Sequence, residues 1–156
     1  MTSDTLDFIL PICYSHLQGK GGVGMIIGIG HDLSDITRMK KILEGAAGRR
    51  FMERVLTVSE RVLAEPCQGE RLHQFTAGRF AAKEALVKAF GCGIGQVLGF
   101  QDIEILRGTS GKPECRLSEG AWERLGLHPD AVRIHVTITH ERTLASAFVV
   151  AERLLP

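Results

Sequence analysis

Four side chains far apart in the chain together suit phosphate chemistry: Asp32, Glu84, Lys88 and His140. Asp32 follows the apolar run Ile26-Ile27-Gly28-Ile29-Gly30 and His31. A carboxylate just past a buried strand is a good metal ligand. The alternative is that Asp32 caps a turn, or that Ser34 or Asp35 caps the next helix. Glu84 and Lys88 are one helical turn apart and so lie side by side. Two carboxylates from different elements can hold Mg²⁺, which takes few protein ligands and keeps waters and substrate phosphates. A lysine one turn from such a carboxylate can neutralise the same phosphates, and His140 can donate to phosphate or handle a proton. The set describes a magnesium-assisted site for a pyrophosphate substrate.

These residues need elements to position them. Good helix formers fill the run around Arg79-Phe80-Ala81-Ala82-Lys83-Glu84. Phe75, Ala82, Leu86 and Ala89 make one apolar stripe, and Gly91 sits where a left-handed residue would end the helix. The pattern predicts a helix from about Arg71 to Phe90. Arg79 and Lys83 form a like-charged pair in adjacent turns, which calls for a nearby phosphate or carboxylate, such as an anionic substrate, unless the face is simply solvated. Met25 to Gly30 reads as a short strand with Asp32 beyond its end. Gly28-x-Gly30 lacks the third glycine of a dinucleotide fingerprint, so the small residues signal close backbone approach or a bulge.

Ile36, Met39, Ile42 and Leu43 show helical periodicity. Thr57-Val58-Ser59-Glu60 fits a capping box, starting a short helix that Pro66 to Gly69 breaks. Asp102 to Leu106 and Pro113 to Leu117 read as a hairpin about the Gly108–Gly111 turn. Ser118 can cap a short helix closed by Gly126. Val132 to Ile138 alternates as a half-buried strand ending at His140, and the nearly all-apolar residues 144–151 suit a sheet centre. Strands cluster after the long helix, so the fold class is α+β, with a largely antiparallel sheet against a long central helix.

Residues 25–156 are expected to form one folded unit, and residues 1–24 an extension. The latter lacks the basic start and long apolar run of a signal peptide. Its Gly19–Gly24 run is not a phosphate loop, because Met25-Ile26 stands where Lys-Ser/Thr is needed. A net charge of +1 excludes a globally basic nucleic-acid binder, and no apolar run is long enough to span a bilayer. Cys13, Cys67, Cys92 and Cys115 have no metal-ligand spacing, which fits reduced thiols in a cytoplasmic protein. One local imbalance stands out. Between residues 38 and 54, Arg38, Lys40, Lys41, Arg49, Arg50 and Arg54 outnumber Glu44 and Glu53, an excess of +4. Such a patch attracts anionic partners, the alternative being ordinary solvated side chains.

The motifs also resemble a family. Gly28-Ile29-Gly30-His31-Asp32-Leu33, followed by Ile36 and Arg38, is similar to the opening of the holo-acyl-carrier-protein synthases, the small 4′-phosphopantetheinyl transferases. Phe75-x-x-Gly78-Arg79-Phe80-Ala81-Ala82-Lys83-Glu84-Ala85-x-x-Lys88-Ala89-Phe90-Gly91-Cys92-Gly93-Ile94 resembles their second signature. Phe100 to Ile105, Gly111-Lys112-Pro113 and Ile138-Thr139-His140 follow in the family's order, and the resemblance covers Met25 to about Leu154. It implies transfer of phosphopantetheine from coenzyme A to a serine of an acyl carrier protein, releasing adenosine 3′,5′-bisphosphate. It implies Asp32 and Glu84 as Mg²⁺ ligands, with Glu84 or a metal-bound water as general base. Lys88 and His140 would contact phosphates, Gly91 and Gly93 the nucleotide, and the patch around Arg38, Arg49 and Arg50 an acidic carrier. It further implies a homotrimer with sites shared between subunits, and no nucleic-acid or membrane partner. Two positions depart: Cys92 stands where threonine is usual, and His31 replaces a usually uncharged residue. The rival readings are a magnesium-dependent nucleotide pyrophosphate hydrolase and a non-catalytic module for an acidic protein. The module as a single-strand nucleic-acid platform would need exposed aromatics interleaved with the basic residues, which the patch lacks.

Overall fold

A computed structural model describes residues 24–155. The expected extension therefore falls outside the described residues, except for Gly24. Strand β1 (Met25–Asp35) leads into helices α1 (Ile36–Glu44), α2 (Gly48–Val55), α3 (Val58–Ala64) and the 20-residue α4 (Glu70–Ala89). The hairpin β2 (Ile103–Arg107) and β3 (Pro113–Leu117), helix α5 (Glu119–Leu125), and strands β4 (Val132–His140) and β5 (Leu144–Arg153) follow. The fold is α+β. One antiparallel sheet has the order β1-β5-β4, and β2-β3 form a second. The apolar β5 lies at the sheet centre, as its composition predicts.

Helix α4 packs on the face of the sheet that presents Ala145, Ala147, Val149 and Ala151, all buried. Two glycines set its approach. A Cβ at Gly28 would run into the carbonyl oxygen of Ala89, and one at Gly30 into that of Ala85. Gly28-x-Gly30 is thus a backbone seat for α4, next to a register shift between Ile26 and Gly28.

Three expectations change. The first strand does not stop at Gly30. Pairing with β5 continues to Asp35 opposite Leu144, where the Asp35 side chain accepts from the Arg38 N–H and starts α1. Asp32 therefore lies inside a paired strand, opposite Ala147. Second, the expected anion beside Lys83 is a carboxylate of the chain and not a substrate. Lys83 is fully buried, and its Nζ donates to Glu60 Oε2 (2.6 Å), Val55 O (2.7 Å) and Phe100 O (2.9 Å). Glu60 is equally buried and accepts from the N–H groups of Thr57 and Ile105. Burial pulls the Lys83 ammonium below its ordinary range, with Glu60 opposing. The anion that this lysine needs is internal, supplied by the capping-box glutamate. Third, Arg79 donates to Ile105 O and stacks over Phe75 at 4.4 Å.

Candidate active site

The seat of α4 on β1 determines the site. Gly28 and Gly30 bring the C-terminal half of the helix, with Glu84 and Lys88, over the strand that carries Asp32. Lys88 Nζ donates to Asp32 Oδ1 at 2.7 Å and to His31 O at 3.2 Å. Asp32 is mostly covered, whereas half of the Lys88 side chain is exposed. Partial burial pushes the Glu84 carboxyl above its usual range. The nearby Asp32 charge adds to this, and Lys88 opposes it. Two carboxylates thus repel each other beside a half-exposed lysine. That donor set suits Mg²⁺, which needs few protein ligands and relieves like-charge crowding. Among the described residues no cluster of three or more His, Cys, Asp or Glu offers a closed metal cage.

The loop after α4 borders this cluster in sequence. Gly91 has φ +68° and ends the helix, because L side chains rarely adopt that conformation. A Cβ at Gly93 would touch nothing within 4 Å, so packing among the described residues does not require glycine there. Close approach of a ligand would. Cys92 packs against the core, and burial raises its thiol pKa.

His140 is placed elsewhere. It ends β4 opposite Ala145, whereas Asp32 lies two strands away opposite Ala147. Strand spacing and rise put their Cα atoms about 12 Å apart. His140 instead lines a cavity of ≈ 360 Å³ with Arg71, Phe75, Gly78, Arg79 and Arg107. Within this chain the expected set therefore divides into an Asp32–Glu84–Lys88 half and a basic His140 half. Of the arginines in the second half, Arg79 lies within the second signature, whereas Arg71 and Arg107 had no motif signal in the sequence. Of the basic patch, Arg38 is exposed on α1, and Arg49 and Arg50 on the adjacent α2. Arg49 pairs with Glu53 at 2.8 Å.

Residues 28–150 match the 4′-phosphopantetheinyl transferase superfamily, and the chain belongs to it. More particularly, it is 43% identical over 128 residues to the holo-[acyl-carrier-protein] synthase of Bacillus cereus strain AH187, covering 82% of this chain and 97% of the relative. The synthase of Geobacillus kaustophilus strain HTA426 is 42% identical over 132 residues, covering 85% and 93%. The fold is similar to the crystal structure of the Bacillus anthracis strain Ames enzyme in complex with CoA (3′,5′-ADP). The TM-score is 0.70 at 41% identity, covering 83% of this chain and 98% of that one. The Helicobacter pylori synthase in complex with coenzyme A gives 0.67 at 32% identity, covering 79% and 98%.

Proposed function

We propose that this chain is a holo-acyl-carrier-protein synthase, transferring 4′-phosphopantetheine from coenzyme A to a serine of an apo-acyl carrier protein. The observation that carries the reading is the Asp32–Glu84–Lys88 cluster, assembled from both signature motifs. Asp32 and Glu84 would hold Mg²⁺, which when bound neutralises pyrophosphate charge and stabilises the transferring phosphoryl group. The serine oxygen forms a bond to the pantetheine-side phosphorus. The bridging P–O bond breaks, and its electron pair leaves with adenosine 3′,5′-bisphosphate. Lys88 reaches past Asp32 to phosphate oxygens. The serine proton passes to Glu84 or to a water held beside it, the two candidates for general base.

The active unit in this reading is a homotrimer with sites at subunit interfaces. Two observations support shared sites. His140 and its basic cavity lie apart from the carboxylates of the same subunit, so a neighbour's cavity would receive the nucleotide phosphates. The sheet face turned away from α4 also exposes Ile29, Leu33, Leu144 and Phe148, each 42–55% accessible. An apolar sheet face of that kind suits an interface with another copy. Arg38, Arg49 and Arg50 would dock the acidic carrier. A cytoplasmic setting fits the free thiols of Cys67, Cys92 and Cys115, and no described helix is long and apolar enough to cross a membrane. The test is to incubate the protein with coenzyme A, Mg²⁺ and an apo carrier and weigh the carrier by mass spectrometry. A gain of one phosphopantetheine arm is expected. No gain where a control enzyme works would reject the reading, and coenzyme A cleavage without a carrier would favour a hydrolase.

A further inference from the structure

The loop from Gly91 to Gly99 contains four glycines, and glycine loses the most conformational freedom when a chain is ordered. A Cβ at Gly93 or Gly95 would meet nothing within 4 Å, so no close packing fills their side of the loop. The near end is fixed to α4, where the Cys92 N–H donates to Val87 O at 2.9 Å. Leu98 is fully buried, and Gly95 N–H donates to its carbonyl at 2.9 Å. Among the described residues, the hydrogen bonds tying Val97–Gly99 to later parts of the chain all run to two residues. Arg124 Nε donates to Val97 O at 2.9 Å. Asp102 Oδ2 accepts from Gly99 N–H at 2.9 Å, and the Asp102 N–H donates to Gly99 O. Arg124 Nη2 joins the two by donating to Asp102 Oδ2 at 2.6 Å, and Ser118 Oγ donates to Asp102 Oδ1 at 2.7 Å.

We infer that Arg124 and Asp102 are positioning residues for coenzyme A, holding the glycine loop in the shape that receives the nucleotide. The inference rests on the transferase reading above. The guanidinium suits this task because its planar fork can serve a carbonyl and a carboxylate at once, whereas a lysine ammonium is a point charge on a flexible stem. Partial burial pushes the Asp102 carboxyl up, but its hydrogen bonds from Ser118, Gly99 and Arg124 outweigh this and hold it below the usual range, so it stays charged at neutral pH. The pair is partly exposed, at 42% and 25% of the two side chains, so it adds little to global stability. Its effect falls on the loop.

Calorimetric titration of coenzyme A, with KM measured for both substrates, tests this. Arg124→Met should weaken coenzyme A binding about five- to tenfold, because apparent affinity scales with the fraction of molecules holding the competent loop. Arg124→Lys should recover part of the loss. The KM for the carrier and the melting temperature should stay at wild-type values. Asp102→Asn should show the same pattern, and it decides the matter if the methionine variant fails to fold. Wild-type coenzyme A affinity in either variant, or equal changes for both substrates, would overturn the positioning role. If the wild-type protein takes up no coenzyme A, the transferase reading fails and this inference falls with it.

Discussion

Replacing Lys83 by methionine is the sharpest test of what holds helices α2 and α3 to α4. Lys83 and Glu60 are both fully buried, and the ammonium meets three acceptors at 2.6–2.9 Å. Methionine keeps most of the volume but leaves the Glu60 charge buried without a cation, and the carbonyls of Val55 and Phe100 without their donor. Breaking one partner of a buried pair typically costs about 3–5 kcal/mol. For a domain of this size that corresponds to a melting temperature lower by roughly 10–20 °C. Circular dichroism on heating and urea unfolding at pH 7 would measure it. Adding Glu60→Gln to the same chain removes the stranded charge while keeping an acceptor for Thr57 or Ile105 N–H, so the double variant should be more stable than Lys83→Met alone. A methionine variant melting within about 2 °C of wild type, a cost below roughly 1 kcal/mol, would refute the reasoning.

Other outcomes follow from the same geometry. Gly30→Ala places a Cβ against the Ala85 carbonyl. Because backbone must shift, it should destabilise by about 3 kcal/mol, at the top of the overpacking range, and a melting curve matching wild type would contradict the seat. Arg50→Glu on the exposed face of α2 should raise the KM for an acidic carrier several-fold at low salt and leave the KM for coenzyme A unchanged. The difference from wild type should shrink as salt is added, and a salt-independent difference would argue against electrostatic docking.

Much of the fold was legible locally. The Thr57–Glu60 capping box is present with both reciprocal bonds, Gly91 and Gly126 end their helices at positive φ, and the apolar β5 is central. These signals lie within a few residues of what they determine. The misread features depend on distant partners. Asp32 falls inside β1 because β5, more than a hundred residues later, continues the ladder past it. Lys83 looked like a surface charge because nothing near it in sequence reveals Glu60, whose capping role conceals a second use of its carboxylate. The motifs bring Asp32, Glu84 and Lys88 together, but no periodicity tells that His140 lies two strands off, lining a cavity that none of the three reaches.

That separation makes subunit complementation the most direct test of a shared transfer site. Glu84→Gln and His140→Ala should each lose nearly all transfer to an apo carrier while remaining folded. When the two are unfolded together and refolded, mixed assemblies contain some interfaces with an intact Glu84 from one subunit and an intact His140 from its neighbour. Transfer should then return to a substantial fraction of the wild-type rate. Activity no higher than the sum of the two variants, with mixed assemblies verified by mass, would contradict a site built from two subunits.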